Sequence, residues 1–439
     1  MSLYERVRQA GNAQQSSAPD EGDLLNRLRG QLQEEVSVDK LARLFQENPD
    51  HARNEVVSAC RGIFEGSSWD YIADDTRGRL VAKLLDSIFG FGELEDLLCD
   101  ETITEVMVNG PRTVLFERDG RISPTGRHFA GEAELRSLID RILGPLGRRI
   151  DEASPMVDAR LPQGHRVNIV VPPVALDGPY VTIRKFSEHV ITLDEMEASG
   201  SVEESVGQLL RWAVLARKSM AVSGGTGSGK TTLLNALSCV IPADERIVTI
   251  EDSAELRFFE HPDVVRLEAR PENAEGTGEV TIRQLVMNAL RMRPDRIVVG
   301  ECRGFEALDM LQAMNTGHDG SLTTLHANSP EESVSRLATM VRFGADLPID
   351  VIEANIASAI HLVVQTERAL DGTRRVSEVV RFSFDRSNGR CRTHRLYQRP
   401  LGSGQGVWED EPPWLAELAV RGIATAEEVD AWRRRCSLC

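Results

Sequence analysis

The sequence predicts an α/β protein in three parts: a helical N-terminal module, a small α+β domain, and a larger domain whose mostly parallel sheet is covered by helices. Three observations predict this. Gly224-Gly225-Thr226-Gly227-Ser228-Gly229-Lys230-Thr231-Thr232 fits the phosphate-loop pattern G-x-x-x-x-G-K-[ST], and it lies between an apolar strand and a helix-favouring run. After about residue 204, apolar strands alternate with amphipathic helices, the pattern of a parallel sheet. From about 92 to 186, strand and helix signals mix without that alternation.

A chain of 439 residues with 41% hydrophobic content suits two or three domains with ordinary cores. Its 51 basic and 68 acidic residues give a formal charge of −17, which argues against a protein that wraps nucleic acid without sequence preference. There is no run of about 18 apolar residues and no signal peptide, so the expectation is a chain that neither spans a membrane nor enters the secretory route. Seven cysteines, odd in number and scattered, fit reduced thiols in a cytosol. Cys436 and Cys439 form a C-x-x-C with no second pair nearby, and read as incidental thiols.

Residues 1–22, including Gly11-Asn12-Ala13-Gln14-Gln15-Ser16-Ser17, read as a flexible leader. Residues 23–91 read as a helical module, with Val57, Cys60, Ile63 and Phe64 on one face and Leu80, Leu84, Leu85 and Ile88 on another. In the α+β domain, 92–186, strands are expected at Ile103–Val108 before Asn109-Gly110-Pro111, and at Thr113–Glu117 before Asp119-Gly120. A helix over 133–146 and strands at Arg166–Val171 and Tyr180–Arg184 complete it. Residues 187–203, rich in Glu, Ser and Gly, read as a linker.

In the third part, 204–399, a first helix is expected at Ser205–Ala216 and strands at 220–223, 247–250, 297–300, 321–325 and 361–365. The clearest helix is Thr281–Arg293, where Ile282, Leu285, Val286, Ala289 and Leu290 share a face. Thr281 and Gln284 form its capping box and Pro294 its stop. The tail, 400–439, opens with Gly402-Ser403-Gly404-Gln405-Gly406, turns helical, and carries Trp408, Trp414 and Trp432. Docking on its own body is preferred over docking on a partner.

The phosphate loop sets the chemistry. Gly225, Thr226, Gly227, Ser228, Gly229, Lys230, Thr231 and Thr232 form a nucleotide-binding stretch in which backbone N–H groups and a helix N-terminus face phosphate. Lys230 can reach the β- and γ-phosphates of a nucleotide, and the Thr231 hydroxyl can hold Mg²⁺. Three clusters follow at strand ends, where an α/β sheet gathers ligand-binding groups. Glu251 and Asp252 follow the strand at 247–250; carboxylates there can position or deprotonate a water beside a γ-phosphate. Glu301 ends the strand at 297–300 and is placed to hold Mg²⁺ through a water, opposite Thr231. His318 and His326 flank the strand at 321–325; a histidine at a strand end either senses the γ-phosphate or is an ordinary structural residue. Zinc binding by His318 and His326 lacks a third ligand at suitable spacing.

Taken in order, the P-loop, Ile250-Glu251-Asp252, the run Leu290 to Glu301 and the run Thr316 to Asn328 resemble the Walker A, Asp box, Walker B and His box of the type II and type IV secretion and pilus ATPases. Ala289 to Arg296, Gln312 to His318 and Ile103 to Pro111 look most like the CpaF branch, which serves Tad/Flp pili. The tetracysteine zinc module of many type II members is missing here, which favours the Tad/type IV side. The resemblance covers about residues 55–385. It implies a PAS-like N-terminal domain and a RecA-like ATPase domain. It also implies assembly as a homohexamer on the cytoplasmic face of the inner membrane, beside a pilus or secretion platform protein. The chain would be peripheral to the membrane, with no direct nucleic acid partner. By the same resemblance Glu251 is the catalytic glutamate, Glu301 the Walker B acid and His326 the γ-phosphate sensor. Arg166 and Arg184 lie in stretches that resemble those supplying arginines to the nucleotide; the other reading of each is a surface or inter-domain ion pair.

Overall fold

Helix and strand here follow from periodicity, and the periodicity decides which faces are buried. The structure, a computed structural model, describes residues 21–37, 41, 44, 49–118, 120–146, 148–161, 163–186, 190–258, 261–272, 277–369, 371–400 and 404–438. The expected leader lies almost wholly outside these residues, as do Asp119, 187–189, 402–403 and Cys439. The chain divides into two compact units, Met1–Ser187 and Glu188–Cys439.

In the first unit, α1 (Glu21–Glu35), α2 (Pro49–Phe64) and α3 (Asp74–Phe89) pack Leu28, Val56, Cys60, Leu80 and Leu84 around the buried Trp69. The buried face of α2 runs through Val56; Val57, expected on that face, is only half-buried. After α4 (Glu95–Cys99) come β1 (Ile103–Asn109), β2 (Val114–Arg118), β3 (Arg121–Pro124), α5 (Glu132–Leu143), β4 (Met156–Arg160), β5 (Arg166–Val170) and β6 (Tyr180–Arg184). They form one antiparallel sheet ordered β3-β2-β1-β6-β5-β4, so the α+β expectation holds, with β3 and β4 as strands the sequence reading did not pick. Alternate residues Val106, Val108, Val167, Ile169, Val181 and Ile183 face α5, whose Leu135, Leu138, Ile139 and Ile142 cover them.

In the second unit, α6 (Leu193–Ala198) lies inside the stretch read as a linker. A full capping box between Thr192 and Glu195 starts it, and Leu193 and Met196 join the core. Then come α7 (Glu204–Leu215), β7 (Met220–Gly224), α8 (Lys230–Ser238), β8 (Ile247–Glu251), β9 (Val264–Glu268), α9 (Ile282–Ala289), β10 (Arg296–Cys302), α10 (Glu306–Asn315), β11 (Leu322–Leu325), α11 (Pro330–Gly344), α12 (Ile349–Ala359), β12 (Leu362–Arg368), β13 (Arg374–Asp385), β14 (Arg390–Gln398), β15 (Val407–Trp408) and α13 (Ala426–Arg435). The sheet is ordered β15-β14-β13-β12-β7-β11-β10-β8-β9, parallel from β12 to β9 and antiparallel from β12 to β15. Both faces are covered: Met220 and Val222 face one core and Ala221 the other. The capping box of Thr281 and Gln284 is present, but α9 stops at Ala289. Arg293 takes a left-handed φ of 55°, and the proline after it disfavours helix there.

The tail docks on its own unit. Trp408, Trp414 and Trp432 are buried with Trp212 and Tyr397, and the indole N–H groups of Trp408 and Trp432 donate to Ser205 Oγ (3.0 Å) and Ser205 O (2.8 Å). Both bonds fall on α7, the helix that leads into β7. Trp432→Ala is expected to destabilise this unit by about 3–5 kcal/mol, measured by denaturant unfolding, because a large buried side chain leaves a cavity and an unpaired acceptor.

Candidate active site

β7 is buried along its length and delivers Gly224 to the carboxyl edge of the sheet. A Cβ at Gly224 would come within 2.5 Å of the Thr366 carbonyl on neighbouring β12, so a side chain does not fit there. Gly227 and Gly229 take φ of 70° and 95°, which glycine adopts without strain. Gly229 is the N-cap of α8 and brings no side-chain cap, so the helix start keeps its N–H groups for an anion. The loop is braced from far along the chain. Ser228 Oγ pairs with Thr366 Oγ1 at 2.8 Å, and Arg374 Nε on β13 donates to Gly227 O at 3.0 Å. Lys230 Nζ donates to the carbonyls of Gly224 (3.0 Å) and Gly225 (2.8 Å). Burial lowers the Lys230 pKa, and the charge of Glu301 opposes that shift. Thr231 and Thr232 follow in the first turn of α8, half-buried; Thr226 and Gly227 are exposed.

The other sequence-predicted groups of this unit leave the same edge, because β7, β11, β10 and β8 are parallel neighbours in that order. Glu251 ends β8 and is 3% exposed. Its Oε1 accepts from the N–H groups of Glu255 (2.7 Å) and Leu256 (2.8 Å), while its buried Oε2 has no partner among the described residues. Burial pushes its carboxyl up to about 7, against the pull of those two backbone N–H groups. Gly300 on β10 makes room for it: a Cβ there would lie 2.8 Å from Glu251 Cγ. Glu301 is the next residue, and its Oε2 accepts from Arg303 Nη2 at 2.6 Å. His326 follows β11 directly and is half-buried with no side-chain partner among the described residues. His318 instead lies with Nδ1 3.2 Å from Ala313 O at the end of α10, which is the structural reading of that histidine.

Arg166 and Arg184 belong to the first unit. They are direct cross-strand partners on β5 and β6, so both side chains leave one face of that sheet. Arg184 is also paired with Glu105 on β1, and Arg166 with Arg160 on β4. An open cleft of about 1010 Å³ in the same unit lies at the β1–β2 and β5–β6 turns; its charged residues Arg112, Glu132 and Asp177 are all exposed. That cleft gathers no buried ionisable group and adds no candidate chemistry.

The donor set suits a nucleotide with Mg²⁺. Among the described residues no three His, Cys, Asp or Glu side chains gather as a protein-only metal cluster. Mg²⁺ needs none, since it keeps waters and takes phosphate oxygens beside one or two protein groups. Residues missed in the sequence are Gly300, Arg303, Glu306, Thr366 and Arg374. Arg303, two residues after Glu301, was visible as a cation next to a strand-end acid; Thr366 and Arg374 reach the loop only through strand register.

Among the described residues no helix is long and apolar enough to cross a membrane. Residues 89–399 match the family model for type II/IV secretion system proteins. A protein of Mycobacterium tuberculosis (strain H37Rv), provisionally named for conjugal transfer, is 40% identical over 302 residues, 67% of this chain and 85% of its own. The type IV secretion system protein VirB11 of Brucella suis is 35% identical over 339 residues, 71% of this chain and 93% of its own. The crystal structure of the Yersinia pseudotuberculosis ATPase DotB is 16% identical, with a TM-score of 0.50 over 66% of this chain and 77% of that one, a likeness of fold alone. With strand order, P-loop and matched relatives together, the chain belongs to the type II/IV secretion system protein family, on a RecA-like fold.

Proposed function

We propose that the chain is an ATP-hydrolysing hexameric motor that powers assembly or retraction of a Tad/Flp-type pilus, or a related type II/IV secretion step. It works at the cytoplasmic face of the inner membrane against a platform protein. The observation that carries hydrolysis is Glu251: one carboxylate oxygen is fixed by two N–H groups, and the other is buried with no partner among the described residues. In this reading that second oxygen takes the proton of an attacking water, a role its lack of any other partner among the described residues supports. Lys230 and the loop N–H groups from Gly225 to Thr232 hold the phosphates. Thr231 and Glu301 hold Mg²⁺, which when bound neutralises phosphate charge. His326 hydrogen-bonds the γ-phosphate, and Arg166 and Arg184, cross-strand neighbours on one face of β5 and β6, are the candidate arginines for the reaction. Residues 204–399 form the motor domain. The CpaF branch is supported by the runs 103–111, 289–296 and 312–318.

Glu301→Ala tests this assignment. It is expected to bind ATP while steady-state turnover falls about 10²-fold, the scale for losing one transition-state charge contact. Unchanged turnover would remove the reading. A second reading is favoured by the relatives named for conjugal transfer: a motor of a DNA- or protein-transfer system. Stimulation of turnover by DNA that fades with added salt would support it, or a RecA-like nucleic-acid motor, over the pilus motor.

A further inference from the structure

Arg303 follows β10 directly. Its Nη2 donates to Glu301 Oε2 at 2.6 Å, and its Nη1 lies 3.6 Å from Asp252 Oδ2, just past the end of β8. The turn that carries it is fixed from beneath. The N–H groups of Arg303 and Gly304 donate to Glu306 Oε1 at 2.6 and 2.8 Å, and Glu306 is buried at the start of α10. The Arg303 side chain itself is 59% exposed. It is an exposed arm on a buried anchor.

The arm is held where acids crowd. Glu251, Asp252, Glu255 and Glu301 leave the ends of two neighbouring strands, and Arg303 bridges two of them. Glu301 and Arg303 also act on the Lys230 ammonium with opposite signs, so the three charged groups share one region. A monocation therefore sits on the carboxylate that the proposed function assigns to a dication. A guanidinium bonded to one of its oxygens takes up a lone pair and offsets part of its charge, so the carboxylate attracts a metal-bound water less.

We propose that Arg303 is a positioning residue for Glu301: it holds this carboxylate at the edge of the sheet and competes with Mg²⁺ for it, so that metal–nucleotide binding is coupled to release of the arginine. The inference rests on the reading of Glu301 as the metal-holding acid. Exposed ion pairs are weak, so the competition is worth about fivefold in affinity.

The test measures binding of mant-ADP to the full chain with Mg²⁺ and with EDTA, and takes the ratio of the two affinities. Arg303→Gln is expected to raise that ratio about fivefold over wild type. An unchanged or lowered ratio overturns the proposal. Glu301→Gln in the same assay is expected to lower the ratio about tenfold. If Glu301→Gln leaves it unchanged, the reading of Glu301 fails and the proposal with it. A shifted Glu301→Gln beside an unshifted Arg303→Gln removes Arg303's role alone.

Discussion

Glu251→Gln is expected to lower ATP turnover by about 10²–10⁴-fold while leaving nucleotide affinity near wild type, the range for loss of a positioned general base. The isosteric amide keeps the volume beside Gly300, where a Cβ would already collide. It also keeps an acceptor for the Glu255 and Leu256 N–H groups, but it cannot take a proton. The wild-type pH profile carries the same signature. Only the ionised carboxylate is a base, and burial pushes this carboxyl up to about 7, so turnover should rise with pH through about 7 and fall below it. Steady-state rates from pH 5.5 to 8.5 check this, and a profile flat across 7 would sink the assignment. The stability sign runs the opposite way. A carboxyl whose folded pKa lies above its ordinary 4.5 costs stability above about 7, where it is ionised in both states. That cost is relieved as pH falls through 7 toward 4.5. Glu251→Gln should therefore melt no lower than wild type at pH 8.

Lys230→Ala is expected to weaken ATP binding by about 10²-fold, because truncating one member of a charge pair in a half-buried site costs about 3 kcal/mol. Lys230 already spans the loop, with its ammonium on the Gly224 and Gly225 carbonyls. Those carbonyls can bond water once the side chain is gone, so the fold should survive. Fluorescent-nucleotide titration reads the affinity, and the circular dichroism spectrum checks that the variant is folded. Wild-type affinity in Lys230→Ala would remove the P-loop from the binding site.

The site was legible to different depths in different places. The P-loop was complete in the sequence, because its conformation is local: positive φ at Gly227 and Gly229, then a helix start at Lys230. Glu251 and Glu301 were legible because an apolar run ending in an acid marks a strand end in a parallel sheet, and β8 and β10 are such strands. The strands β9, β13 and β14 carry no clear strand signal in the sequence. β9 is a half-exposed edge without a clean alternation, and β13 and β14 place arginines among their apolar residues, pairing them with acids such as Glu367, Glu378 and Asp385. The tail's tryptophans predict its docking, while its seat on Ser205 of α7 depends on the fold.

The phosphate loop, the order of the strand-end acids, the helix caps and the fold class are readable from the chain alone, because they depend on residues a few positions apart. The bracing of the loop by Thr366 and Arg374, the Arg303 bridge between two strand ends, the pairing of Arg166 with Arg184 and the burial that pushes Glu251 up to about 7 are visible only in the fold. Each of those depends on strand register or burial, which packing sets between segments distant in the chain, and no local period encodes it.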